Sequence, residues 1–131
     1  MDRIAHSTLL GHSNVPSIKL AEKLVKITPL PLKKVFYSED GAEAVEIALK
    51  ISFQYWKNEG VKRERFISLK EAYHGDTLGA MGVGGIDIYR EIFDPLLFRP
   101  IQIDPPYCYR CPFEKEKGNC NFECISAIEE A

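Results

Sequence analysis

The apolar and polar positions that follow Asn14 predict a first helix. Apolar side chains recur at helical spacing from Ile18 to Val25, with lysines and glutamates between them. Asn14 is a suitable N-cap, and Pro16 suits the first turn of a helix. The helix should end before Pro29, because proline disfavours a helical residue immediately before it.

A second and longer helix is predicted from Gly41 to about Asn58, where Gly60 ends it. Asp40 and Glu43 stand three positions apart at its start, a spacing close to that of a capping box. Apolar residues cover most of its circumference and leave only a narrow polar strip. We therefore expect this helix to be buried on most sides, against a sheet and against another layer or another subunit.

Short runs of β-favouring residues flank the long helix and predict a parallel sheet. Residues 35–38 precede the helix and residues 65–70 follow it, which is the order of a βαβ unit. Ligands bind such sheets beyond the carboxyl ends of the strands. Further along, residues 86–93 suggest a short helix or ordered loop, residues 101–103 a short strand, and a terminal helix begins near Asn121.

Two places are candidates for ligand binding. Gly41 and Ala42 carry no bulky side chain, so the N–H groups of positions 41–43 should be accessible at the positive end of the helix dipole, which favours an anion. An ordinary capped helix has the same local sequence. After the second strand, Tyr73 could lie flat against a planar ligand and His74 could form a hydrogen bond with it, although such a pair in a loop often has a structural role.

Composition and charge exclude several classes of protein. The chain has 131 residues, of which 45% are apolar and 27% are charged, and its net charge is −2. This length fits one domain or part of one, with a substantial core. No basic patch suggests nucleic-acid binding, and no apolar run is long enough for a membrane span. Residues 1–6 lack a signal pattern, so we expect a cytoplasmic protein.

All four cysteines lie close together in the sequence, as Cys108-x-x-Cys111 and Cys120-x-x-x-Cys124. Paired thiolates of this kind can hold zinc, and an iron–sulfur cluster is also conceivable. The alternative is a loop of metal-free thiols, while disulfides are not expected in the cytosol. A metal-binding interaction module is therefore one alternative function for the chain.

Several stretches resemble the class III pyridoxal-phosphate-dependent aminotransferases. They are residues 36–50 (FYSEDGAEAVEIALK), 54–56 (QYW), 73–81 (YHGDTLGAM) and, for the biotin-biosynthesis subgroup, 106–113 (PYCYRCPF). The resemblance implies an α/β fold that is part of the fold-type-I large domain, with a mostly parallel sheet and flanking helices. Residues 1–131 would form a single partial domain, the N-terminal half of the cofactor-binding domain, with residues 104–124 as a cysteine-bearing loop.

The resemblance also implies a cofactor, substrates and a partner. Pyridoxal 5′-phosphate would be held through its phosphate by Gly41 and Ala42, and Tyr73 would stack on its ring and face the substrate. The subgroup implies 8-amino-7-oxononanoate and S-adenosylmethionine as substrates, with a homodimer or other self-association. Two departures weaken the phosphate site, because Ala42 replaces a hydroxyl residue of many relatives and Asp40 adds a carboxylate.

The family's Schiff-base lysine has no counterpart in this sequence. Neither Lys50 nor Lys70 stands in the matching context. We therefore expect no catalytic residue within residues 1–131, and the chain alone should be inactive as a truncated piece or one part of a split enzyme. Two alternatives remain. The chain could belong to another class III aminotransferase, or it could be a catalytically inactive fragment that is stable only in association with another chain.

Overall fold

The computed structural model describes residues 8–131, which divide into two compact units at the Tyr37–Ser38 boundary. The absence of a signal pattern was predicted for residues that lie outside this range. No helix of the described part is long and apolar enough to cross a membrane. The helices and strands are α1 (Val15–Ile27), α2 (Gly41–Asn58), β1 (Ile67–Leu69), α3 (Leu78–Val83), α4 (Asp87–Arg90), β2 (Ile101–Ile103) and α5 (Glu123–Glu130), with 3₁₀ turns at Glu91–Leu96 and Cys108–Arg110.

The first unit is built on α1, which confirms the first predicted helix. The Asn14 side chain caps it by accepting a hydrogen bond from the Ser17 N–H at 2.9 Å. At the other end, the Leu24 carbonyl accepts hydrogen bonds from both the Thr28 N–H, at 3.0 Å, and the Thr28 hydroxyl, at 2.9 Å. The Tyr37 hydroxyl donates to the Ser17 carbonyl at 2.6 Å and ties the end of the unit to the start of α1.

The second unit contains a parallel pair of strands, in which Ile67 of β1 lies opposite Ile101 of β2. Beyond the strand ends, the Lys70 N–H donates to the Ile103 carbonyl at 2.9 Å and extends the ladder. The chain between the strands forms α3, α4 and the first 3₁₀ turn, the crossover that parallel strands require. The architecture is α/β, as predicted.

The predicted βαβ unit is wrong in its strands. Residues 35–38 form no strand, and β1 is shorter than the predicted 65–70. Among residues 8–131, β1 pairs only with β2. A β-favouring sequence becomes a strand only when a neighbour accepts and donates its ladder hydrogen bonds, and the sheet of the described residues contains only β1 and β2.

The bounds of α2 confirm the second predicted helix, but its predicted burial is wrong. None of its residues is buried, and Ile51, Phe53 and Tyr55 are exposed. The helix packs mainly against α3, which is too short to cover a wide apolar surface. The expected substantial core is also missing from the described residues, since the buried apolar residues are Ala80, Met81, Val83, Leu97 and Ile103.

Two weaker predictions are confirmed with shifted ends. The helix expected within residues 86–93 is α4 followed by a 3₁₀ turn that contains Pro95, whose ring and missing N–H prevent a longer α-helix. The terminal helix begins at Glu123 rather than near Asn121, since Phe122 adopts a left-handed backbone with φ of 58°.

Candidate functional site

An open groove of about 730 Å³ in the second unit lies between the start of α2 and the loop that follows β1. The structure thereby brings together the two stretches that the sequence singled out, although more than 30 residues separate Gly41 from Tyr73. The lining residues are Asp40, Gly41, Ala42, Val45, Tyr73, His74, Gly75, Asp76 and Thr77.

The start of α2 carries a reciprocal cap. The Asp40 Oδ1 atom accepts a hydrogen bond from the Glu43 N–H at 2.8 Å, and Glu43 Oε2 accepts one from the Glu39 N–H at 3.0 Å. The prediction of three accessible amides is therefore wrong for Glu43, whose N–H is occupied. The N–H groups of Gly41 and Ala42 have no partner among residues 8–131.

These two amides are suited to an anionic group. No atom lies within 4 Å of the position that a Cβ on Gly41 would take, so the approach to this turn is open. The helix dipole adds positive potential at the same end. The Asp40 carboxylate is engaged as a cap, which directs one of its oxygens to the Glu43 N–H. The donor set therefore fits a phosphate or a carboxylate.

Tyr73 forms an aromatic wall of the groove. Its hydroxyl donates to Asp76 Oδ2 at 2.8 Å, and its ring packs against the Tyr89 ring at a centroid distance of 6.0 Å and an interplanar angle of 72°. The hydrogen bond to Asp76 raises the pKa of Tyr73 above its ordinary value of 10.0. With 56% of the residue exposed, the neutral ring is available to a planar ligand.

The loop that carries Tyr73 contacts the first turn of α2 directly. Gly75 has a φ of 122°, a conformation that side chains rarely adopt, and a Cβ added there would lie 2.5 Å from Ala42 Cβ. His74 lines the groove next to this contact, and its imidazole has no hydrogen-bond partner among residues 8–131. Glycine at position 75 therefore sets how closely the two walls approach.

Glu46 is a polar residue of this region that was not predicted. Its Oε1 atom accepts hydrogen bonds from the Thr77 hydroxyl and the Gly79 N–H, both at 2.6 Å, and from the Ala80 N–H at 3.3 Å. The bond from Thr77 is the largest cause that lowers the pKa of Glu46 below its ordinary value of 4.5, and desolvation opposes it. A signal was present, because Glu46 stands one helical turn after Ala42 and therefore on the same face of α2 as Ala42.

The cysteines lie outside the groove lining, and all four thiols are free. Cys108 and Cys120 are exposed, whereas Cys111 and Cys124 are half-buried. Within residues 8–131, no three histidine, cysteine, aspartate or glutamate side chains come close enough to hold a metal ion. The geometry gives the metal-binding alternative no support.

The two lysines considered from the sequence also lie outside the groove lining. Lys70 Nζ forms an ion pair with Asp104 Oδ1 at 2.9 Å, at the carboxyl ends of β1 and β2. Lys50 is exposed on α2. Neither amine is placed to react with a ligand in the groove.

A family model described as aminotransferase class-III matches residues 1–131. The adenosylmethionine-8-amino-7-oxononanoate aminotransferase of Methanocaldococcus jannaschii is 56% identical over 97% of this chain, and its crystal structure superposes with a TM-score of 0.80 over 98% of the chain. The Aquifex aeolicus protein of that name is 59% identical over 96% of the chain. The chain spans only 29% and 27% of the lengths of these two relatives.

A more distant neighbour carries the same fold. The crystal structure of an amine transaminase from an uncultivated Pseudomonas species, in a PLP-bound form, is 32% identical and has a TM-score of 0.79. It covers 95% of this chain, which corresponds to 29% of the neighbour. The fold of the described residues is therefore that of a segment of a fold-type-I transaminase.

Proposed function

Because the chain belongs to the class III aminotransferase family, we propose that it supplies one part of a pyridoxal 5′-phosphate site. The observation that carries this proposal is the groove, in which two unpartnered amides of α2 and the exposed ring of Tyr73 line one space. A phosphate and a planar ring are the two recognisable parts of this cofactor. When bound, it supplies an electron sink for carbanion chemistry.

In this proposal, Gly41 and Ala42 bind the phosphate through their N–H groups and through the positive end of the α2 dipole. The donor set has no side-chain hydroxyl at position 42, so the phosphate depends on main-chain donors more than in relatives with serine or threonine there. Asp40 lines the groove and opposes the phosphate charge in part, although its role as the α2 cap engages one carboxylate oxygen.

Tyr73 would orient the cofactor ring by stacking, and it would also face the substrate. Its hydroxyl is already fixed by Asp76, so little side-chain freedom is lost when a ligand binds. His74 adds a polar group at the same wall, because its imidazole is free to donate to or accept from a ligand.

The reaction proposed for the assembled enzyme is transfer of an amino group from S-adenosylmethionine to 8-amino-7-oxononanoate, in biotin biosynthesis. Its support is the name shared by relatives that are 56% and 59% identical. No lysine of the described residues lines the groove, so residues 1–131 alone should be inactive and a Schiff-base lysine must come from elsewhere. We further propose a cytoplasmic location. We also propose a homodimer, since the exposed apolar residues of α2 provide a surface that association would cover.

Ligand titrations with the full 131-residue chain test the cofactor site. Pyridoxamine 5′-phosphate is the suitable probe, because its amine cannot form adducts with surface lysines, and inorganic phosphate tests the anion site alone. The variant Gly41→Pro removes one free N–H at the first helical position, where proline is tolerated. It should weaken both probes by roughly tenfold or more, the effect of losing one hydrogen bond to a charged group.

Two further variants sharpen this experiment. Val15→Pro makes the same change at the first position of α1, outside the groove, and should leave both affinities unchanged. Tyr73→Ala should weaken the binding of pyridoxamine 5′-phosphate and leave the affinity for inorganic phosphate unchanged, because only the former has a ring that can stack. If neither probe binds the unmodified chain, or if Gly41→Pro changes nothing, the proposed phosphate site is refuted.

A further inference from the structure

The helix α3 begins without a cap of its own. Thr77 occupies its N-cap position but makes no side-chain bond to the following amides. Its hydroxyl donates instead to Glu46 Oε1, the same atom that accepts the Gly79 and Ala80 N–H groups. A carboxylate from another helix therefore satisfies the second and third amides of α3, and it does so as a charged acceptor at a positive helix end.

Two glycines permit this close approach. A Cβ on Gly79 would collide with the Glu46 carboxylate, and a Cβ on Gly75 would collide with Ala42. Gly75 and Gly79 are four positions apart, and so are Ala42 and Glu46. Residues four apart on a helix lie one turn above each other on the same face. The segment 75–79 is thus attached to α2 at two successive turns.

The two attachments differ in strength. At the first turn, Gly75 and Ala42 make only a packing contact, because neither offers a polar side chain. At the second turn, three donors converge on one charged oxygen. Hydrogen bonds to a charged group are the stronger kind, so the Glu46 contact should dominate the docking of the segment.

We propose that Glu46 is a positioning residue, which holds the segment 75–79 against α2 and thereby keeps the ring of Tyr73, two residues before that segment, beside the Gly41 and Ala42 amides. The inference rests on the proposed cofactor site, which it deepens. Glu46 does not line the groove and acts only through the loop. Without its carboxylate, the anion-binding turn of α2 persists because its cap is independent, whereas the aromatic wall loses its fixed place.

Amide hydrogen exchange and backbone NMR shifts, recorded on the full chain without ligand, test the attachment itself. In Glu46→Ala, the Gly79 and Ala80 amides should exchange roughly tenfold faster or more, as expected for lost bonds to a charged acceptor. The shifts of the Tyr73 and Gly75 amides should move as well. Glu46→Gln keeps an acceptor oxygen at the same place and should restore part of the protection. Gln54→Ala, on the same helix, is the matched control, because in the described part of the chain its side chain bonds only Asn58.

The same variants are then titrated with the two probes. Glu46→Ala should weaken the binding of pyridoxamine 5′-phosphate by roughly tenfold and change the affinity for inorganic phosphate by no more than about twofold. The reason is that only the ring contact depends on the loop. A general loss of structure would weaken both probes equally and would overturn the proposal, as would unchanged protection of Gly79 in Glu46→Ala. If the unmodified chain binds neither probe, the cofactor site fails while the exchange result still decides the role of Glu46.

Discussion

Gly75→Ala tests the contact on which the shape of the groove depends. The substitution places a methyl group 2.5 Å from the Ala42 β-carbon and 2.9 Å from the Ala42 α-carbon. Carbon atoms in favourable contact are about 3.5–4.0 Å apart, so the overlap exceeds about 1 Å at the first atom. It also forces an alanine into a φ of 122°.

The loss of stability expected for Gly75→Ala combines two costs. Overpacking costs roughly 1–3 kcal/mol, and a residue held in a sparsely populated backbone region costs roughly 1–3 kcal/mol. The loop can relieve part of both by moving away from α2, so we expect a loss of roughly 2–4 kcal/mol in the free energy of unfolding. For a chain with so small a core, this is a large fraction of the total.

Urea unfolding followed by far-ultraviolet circular dichroism measures this loss. Gly41→Ala is the matched control, since the same methyl on the opposite wall meets no atom within 4 Å and should be neutral or stabilising by up to about 1 kcal/mol. In an Ala42→Gly background, Gly75→Ala should recover only part of its cost, because the overlap with the backbone of residue 42 and the unfavourable φ both remain. Equal stability of Gly75→Ala and the unmodified chain would refute the close approach of the two walls.

Three further predictions concern the cap, the carboxylate and the thiols. Asp40→Ala should lower the free energy of unfolding by about 1 kcal/mol, because the cap is lost. Asp40→Asn should keep the cap and increase the affinity for inorganic phosphate, because a like charge is removed. Weaker phosphate binding by Asp40→Asn would contradict this prediction. Because the folded pKa of Glu46 is lowered, its stabilising contribution is present above the ordinary value of 4.5 and is lost as the pH falls through the folded pKa. The difference in urea midpoint between the unmodified chain and Glu46→Gln should therefore become smaller as the pH falls below 4.5. A difference that stays constant would show that the Glu46 carboxylate is not responsible for it. All four thiols should react with a thiol reagent, and the exposed Cys108 and Cys120 should react fastest. Purified protein that contains stoichiometric zinc and whose thiols do not react would contradict the assignment of free thiols.

Local features of the fold could be predicted from the sequence because their causes are local. The caps of Asn14 and Asp40, the proline stop after α1 and the bounds of α2 depend on residues within a few positions of one another. Pairing of strands has no such local cause. The partner of β1 is β2, more than 30 residues away, and no pattern within residues 35–38 shows whether a neighbour will lie beside them.

In the candidate site, too, residues with a local signal could be predicted and contacts between distant residues could not. Gly41, Ala42 and Tyr73 could be named from residue type and their place at the ends of elements, and the structure lines one groove with them. The occupation of the Glu43 amide followed from a cap that had itself been recognised, so it could have been predicted. Glu46 was harder to identify, because a glutamate on a polar helix strip looks like any solvated charge until the loop that it contacts is placed.

The separation of the two groove walls along the chain has a consequence for folding order. The amide-bearing wall needs only the residues around α2 and its reciprocal cap, which are close in sequence and form quickly. The aromatic wall follows β1, whose ladder requires residues 101–103 and therefore the closure of a long loop. During synthesis from the N-terminus, the turn proposed to bind the phosphate should therefore form before the aromatic wall that completes the groove.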